Sequence, residues 1–182
     1  MQLNLGVCVI RAWRESDAPS LVRHANSTRV WRNLRDGFPH PYTEIHASRF
    51  LADAIALEPP RHFAIVVDRN AVGGIGYQLD DAVPGNGAEL GYWLHESYWG
   101  RGIGTAVVSA VTAFAFDVHS PLDRIYAVAF AWNGASARVL EKCGYTLERT
   151  IRRSALKDGR AVDQVLYAIA REGGKNRHVS DR

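Results

Sequence analysis

The chain has 182 residues, the size of one ordinary domain, and 47% of them are hydrophobic, which supplies a core and excludes a disordered polymer. Its 22 basic and 19 acidic residues leave a net charge of +3, compatible with an anionic ligand but too small a bias to argue for nucleic acid. The two cysteines, Cys8 and Cys143, form no CxxC and point to a reducing, cytoplasmic setting. No signal-peptide pattern and no run of 18 apolar residues occurs, so no membrane partner is expected.

In chain order, residues 3–13 alternate as one strand, with Leu3, Leu5, Val7, Val9 and Arg11 on one face. Ser16 or Asp17 caps a helix predicted to reach about Asn26. Gly37, Pro39 and Pro41 make residues 32–42 a loop, and a second helix starts at Thr43 and ends before Pro59. Three strands follow as an antiparallel meander, 63–67, 72–79 and 88–94, with turns at Arg69-Asn70 and Pro84-Gly85-Asn86-Gly87. Residues 100–118 give the best helix, with a stripe of Ile103, Val107, Val108, Val111, Phe114, Ala115 and Val118. Then come a strand over 124–131, a helix over 135–143 stopped by Gly144, and a hairpin of 145–156 and 161–170 around Lys157-Asp158-Gly159-Arg160. The order β-α-α-β-β-β-α-β-α-β-β predicts one α/β sheet of mixed direction over residues 1–171, with a polar tail over 172–182.

Three glycines at alternate positions, Gly100, Gly102 and Gly104, open the strongest helix. The first turn of a helix has unpartnered N–H groups and the positive end of the dipole, and glycines let a phosphate approach the backbone. Arg101 adds a cation there, and Ile103 and Thr105 complete the turn. The segment has no Lys for a P-loop. As a GxGxxG fingerprint it fails from either start, ending on Thr105 or on Val107. A pyrophosphate suits it, and a ligand-free Gly-rich turn is the plain alternative.

The stretch "AELGYWLHESYWGRGIGTAVVSAV" resembles the acyl-CoA motif of the GNAT N-acetyltransferases, and "NGASARVLEKCGYTLE" is similar to that superfamily's second cofactor motif. "NLRDGFPHPYT" resembles a loop of the ribosomal-protein (RimJ/RimL-like) branch, so the resemblance covers roughly residues 3–170. It implies a single-domain, mostly antiparallel sheet flanked by helices, acetyl-CoA as cosubstrate, and a homodimer as in many members. Trp99 stands where the superfamily often has Gln or Arg, which leaves the backbone cradle but removes one side-chain contact to phosphate.

An amine attacking a thioester must be neutral. With an α-amine pKa near ~8 and a Lys near ~10.4, a base helps, as do a donor for the carbonyl oxygen and an acid for the thiolate. Glu89, on the strand leading to the cradle with Gly91 and Trp93 on its face, is the base candidate, and the resemblance places a general base at this position. It reads equally as an exposed strand carboxylate in a surface pair. The resemblance sets Trp93 and Leu94 beside the cofactor, with a backbone N–H near Leu94 for the oxyanion. It also implies Ser136 as acid, because Leu140 occupies the position where many members carry Tyr. Asn133 would bind the pantetheine amides, and Ser136 and Asn133 both read alternatively as helix caps.

Trp31, Asn33 and Tyr42, with Arg32 and Phe38, are candidates to wall the acceptor pocket, or else pack an ordinary crossover. The histidines form no HExxH, so no metal is expected, and His95 is an alternative base. The basic run of Arg149, Arg152 and Arg153 reads as facing solvent, or else an acidic substrate. The expectation is an N-acetyltransferase acting on a primary amine of a protein N-terminus or a small molecule. Two alternatives stand beside it: a non-catalytic acyl-CoA sensor, and a transferase for another donor such as succinyl-CoA, held by Arg32, Arg35 or Arg61.

Overall fold

Residues 2–12 make two short strands where the alternation predicts one. In the computed structural model, which describes residues 2–80 and 87–171, β1 (Gln2–Asn4) pairs antiparallel with β2 (Val9–Ala12). Gly6 takes a left-handed φ of 78° between them, and its N–H donates to Asn4 Oδ1 at 3.0 Å. The turn residues continue the apolar alternation, which is why the sequence reads as one strand.

A 3-10 turn (Glu15–Asp17) leads into α1 (Ala18–Ala25), and Arg11 grips Asp17 with two hydrogen bonds of 2.7 Å. One short helix, α2 (Thr28–Trp31), has no periodic signature in the sequence, because four residues complete barely one turn. Ser27 caps it by accepting from Val30 N–H at 3.1 Å. The predicted second helix is α3 (Glu44–Ala56), with Thr43 as its cap.

The meander is β3 (His62–Val67), β4 (Asn70–Asp80) and β5 (Gly87–Leu94). The first turn sits at Asp68-Arg69, both at positive φ, and residues 84–86 of the second lie outside the described residues. Helix α4 (Ile103–Val118) follows, then β6 (Arg124–Phe130), α5 (Gly134–Lys142), β7 (Thr146–Lys157) and β8 (Arg160–Ala170). The predicted tail, 172–182, also lies outside the described residues.

Among the described residues one eight-stranded sheet results, in the order β1-β2-β3-β4-β5-β6-β8-β7, with only β5 and β6 parallel. On one face, Val107, Val108, Val111 and Ala115 of α4 pack with Ile65, Leu90 and Ile125, all at most 2% exposed. Each Val, Leu or Ile among them contributes about 1.5–3 kcal/mol by its burial. Val118, predicted on the same stripe, is 44% exposed at the helix end. On the other face, Trp13, Leu21, Tyr42 and Leu51 form a second core under α1 and α3.

Candidate active site

The parallel pair β5–β6 is joined at one end only. Gly87, Ala88 and Glu89 register with Arg124, Ile125 and Tyr126, and no pairing continues beyond Glu89. The strands part there around a channel of about 640 Å³. Residues 89–94 of β5, residues 127–129 of β6, the start of α4 and the first turns of α5 line it. His95 N–H donates back to Val72 O at 2.9 Å. Hydrogen-bond direction alternates along an antiparallel pair, so the N–H groups of Leu94 and Tyr92 turn toward the β6 side.

At one end of the channel lies the glycine turn. Gly100 and Gly102 hold left-handed φ values of 75° and 77°, and a Cβ at either would meet no atom within 4 Å. The helix begins at Ile103, not Gly100, and its first amide bond is Ala106 N–H to Gly102 O. The amides of Ile103, Gly104 and Thr105 therefore stand without helical partners where these residues line the channel. Arg138 and Lys142, one helical turn apart on α5, line the same channel. Trp99 Nε1–H donates to Leu94 O at 2.7 Å and fastens the turn to the end of β5. Arg101 instead lies over the Tyr98 ring at 5.2 Å and is not among the lining residues. Free amides, open space and two cations are what a pyrophosphate requires, so these residues fit the diphosphate of a CoA ester.

Midway along, two polar groups stand on opposite faces of β5. Glu89 forms an ion pair with Arg35 of the 32–42 loop, side chains 31% and 59% exposed. On the other face the Tyr92 phenol lies 2.8 Å from Ser136 Oγ. Burial pushes the Tyr92 phenol up to about 12, against a smaller downward pull from the Ser136 hydrogen bond. Asn133 Oδ1 accepts from Ser136 N–H at 3.2 Å, so Asn133 does cap α5 while lining the channel.

The far end is bordered by the loop. Asn33, Leu34, Arg35 and Phe38 line it, and Trp93 meets Phe38 edge-on at 6.0 Å. Trp132 Nε1–H donates to Asn33 Oδ1 at 3.1 Å. Asp36 is held by Lys157 Nζ at 2.9 Å and by Asp158 N–H at 3.1 Å, which clamps the loop to the tip of the β7–β8 hairpin. Trp31 and Tyr42 do not line the channel. Trp31 lies under Lys157 and against His40, and Tyr42 is 5% exposed in the second core. His95 also lies off the lining, accepting from Ser97 N–H at 3.3 Å as a cap. Among the described residues no group of His, Cys, Asp and Glu gathers that could hold a metal.

The family model for the acetyltransferase (GNAT) domain matches residues 8–146. The chain belongs to this family. The curated N-acetyltransferase YoaA of Bacillus subtilis (strain 168), described as uncharacterized, is 34% identical over 84 residues, 46% of this chain and 47% of that protein, so the match spans about half of the relative. The solved ribosomal-protein-S5-alanine acetyltransferase of Vibrio fischeri superposes with a TM-score of 0.81 at 21% identity, covering 95% of this chain and 98% of that one. RimL, a ribosomal L7/L12 alpha-N-protein acetyltransferase solved with coenzyme A, superposes at 0.80 with 20% identity over 93% and 98% of the two chains. At these identities the structures show a shared GNAT fold.

Within that fold, sequence reasoning passes over Arg35 as a partner of Glu89, over Tyr92, over the Arg138–Lys142 pair and over Trp132. The basic pair at i and i+4 on a predicted helix opposite the cradle was a usable signal. Arg35 and Glu89 are 54 residues apart, Tyr92 and Ser136 are 44, and no local pattern announces either contact.

Proposed function

We propose that this GNAT protein moves the acetyl group of acetyl-CoA to a primary amine, on a protein N-terminus or a small molecule. The observation that carries this reading is the placement of Glu89 and Ser136 along one channel that ends in the glycine turn. Bound there, the thioester supplies an already activated carbonyl. The amides of residues 103–105 with Arg138 and Lys142 hold its phosphates, and Asn133 borders the arm between. Glu89 takes the proton that the incoming amine must lose. The Leu94 N–H, on the β6 side of β5, donates to the carbonyl oxygen as negative charge builds on it. Ser136 protonates the departing sulfur.

The acceptor class draws support from the two ribosomal-protein acetyltransferases that share the fold, each named for an N-terminal or alanine amine. The acceptor enters past Asn33, Leu34 and Phe38, and must take the place of Arg35 at Glu89. Both cysteines are free, which fits a reducing, cytoplasmic setting.

Release of CoA thiol measured against a panel of peptide N-termini, lysine side chains and small amines tests this. Turnover with at least one amine is expected. Tight acetyl-CoA binding with no turnover for any amine would convert the reading to that of an acyl-CoA sensor.

A further inference from the structure

We propose that Tyr92 is a positioning residue for Ser136: its phenol donates to Ser136 Oγ and so turns the serine proton into the channel toward the leaving sulfur. The proposal rests on the acid role given to Ser136 above.

A serine hydroxyl rotates freely and has one proton to offer. Here its neighbours restrict where that proton points. The Tyr92 oxygen is 2.8 Å from Ser136 Oγ and 3.4 Å from Ser136 O, so among the described residues both acceptors bonded to it belong to Ser136, and the hydroxyl oxygen is the nearer by 0.6 Å. With Tyr92 as donor, one lone pair of Ser136 Oγ is occupied and its proton points elsewhere. Asn133 Oδ1 accepts from the Ser136 N–H, and among the described residues no hydrogen bond runs from Ser136 Oγ to any acceptor but the Tyr92 oxygen. The direction that remains is the channel, which Tyr92 and Ser136 both line.

The chemistry favours this arrangement. Alone, an aliphatic hydroxyl is a poor acid for a thiolate. With a phenol behind it, the serine oxygen regains a proton as it gives one away. The phenol is raised to about 12 by burial, so it is still protonated, and still a donor, across the neutral range. The C–N bond forms and the C–S bond breaks. Sulfur takes the Ser136 proton, Ser136 takes the Tyr92 proton, and Tyr92 recovers one from water. The amine's proton leaves through Glu89 to water, so amine and thioester become amide and thiol.

The test compares Tyr92→Phe, Ser136→Ala and the double variant by kcat and KM for acetyl-CoA, with melting temperatures to check folding. Tyr92→Phe removes one oxygen and keeps the ring. It is expected to lower kcat about tenfold with KM for acetyl-CoA unchanged, and the double variant is expected to be no slower than Ser136→Ala alone. A slowed Ser136→Ala beside an unaffected Tyr92→Phe would overturn the positioning role and leave the acid role standing. So would a double variant slower by the product of both losses, since Tyr92 would then act independently of Ser136. An unaffected Ser136→Ala would overturn the acid role and the proposal together.

Discussion

Replacing Glu89 with Gln separates the chemistry of this site from its stability. The amide keeps the carboxylate's shape and still accepts a hydrogen bond from Arg35, but it cannot take a proton. The ion pair it removes lies between side chains 31% and 59% exposed, so it contributes only about 0.2–1 kcal/mol to folding. For a domain of this size that lowers the melting temperature by no more than about 4 °C. Loss of a general base costs far more, about a hundredfold in kcat at pH 7, or roughly 2.7 kcal/mol of barrier. At pH 7 only about one α-amine in ten is neutral, and by pH 9 nearly all are, so the deficit should narrow by about tenfold with an α-amine acceptor. CoA-thiol release from pH 6 to 9, for wild type and E89Q, reads both numbers. A variant with near wild-type kcat across that range would refute the assignment.

Gly102→Val places a β-branched residue at φ 77° and a side chain into the open space of the cradle, and loss of one charge-assisted phosphate contact should weaken CoA binding about tenfold or more, read by calorimetric titration. Unchanged CoA affinity would count against the cradle. Gly73→Ala puts a Cβ 2.4 Å from Trp93 O and 3.1 Å from Leu94 Cα, both backbone atoms of β5, so the strand must shift. A destabilisation of about 1–3 kcal/mol is expected, seen as a lower melting temperature, and an unaltered melt would show that β4 and β5 yield more easily than their contact implies. Burial lowers the pKa of His24, His62 and His119 below 6.5. A folded-state pKa below the unfolded one means that their contribution is present above pH 6.5 and is lost as pH falls through the folded values. Melting temperature should decline from pH 7 to 5, and His24→Gln should flatten part of that decline; an identical slope in the variant would exclude His24 as a contributor.

The sequence made the meander, the long helix and the glycine turn legible because each depends on neighbours within a few residues. Periodicity placed Val107, Val108 and Val111 inward, and Gly100 and Gly102 marked a glycine-rich turn, whose left-handed φ values the structure adds. It failed at residues 3–13, where Leu5 and Val7 keep the alternation through a turn that only Gly6 betrays. It marked Glu89 and Ser136 through motif resemblance, and it left Trp31 and Tyr42 between the acceptor wall and ordinary crossover packing, while neither lines the channel. Tyr42 is drawn inward by Phe38 stacking at 5.1 Å and by backbone bonds to the Asn26 amide, partners 16 residues off. Such contacts follow from the loop's path, and two closely spaced prolines do not specify that path.

The three-residue join between β5 and β6 bears on how the domain coheres. Strands β1–β5 form one leaf and β6, β8 and β7 the other, and the seam between them carries the fewest backbone bonds at the heart of the sheet. A molecule whose amides bond to both lips of that seam becomes part of the sheet's own fabric. Occupancy at a hundred times Kd adds about 2.7 kcal/mol to the folded state. The gain should appear as slowed amide exchange in β8, a strand bonded to β6 and β7 that never touches the channel.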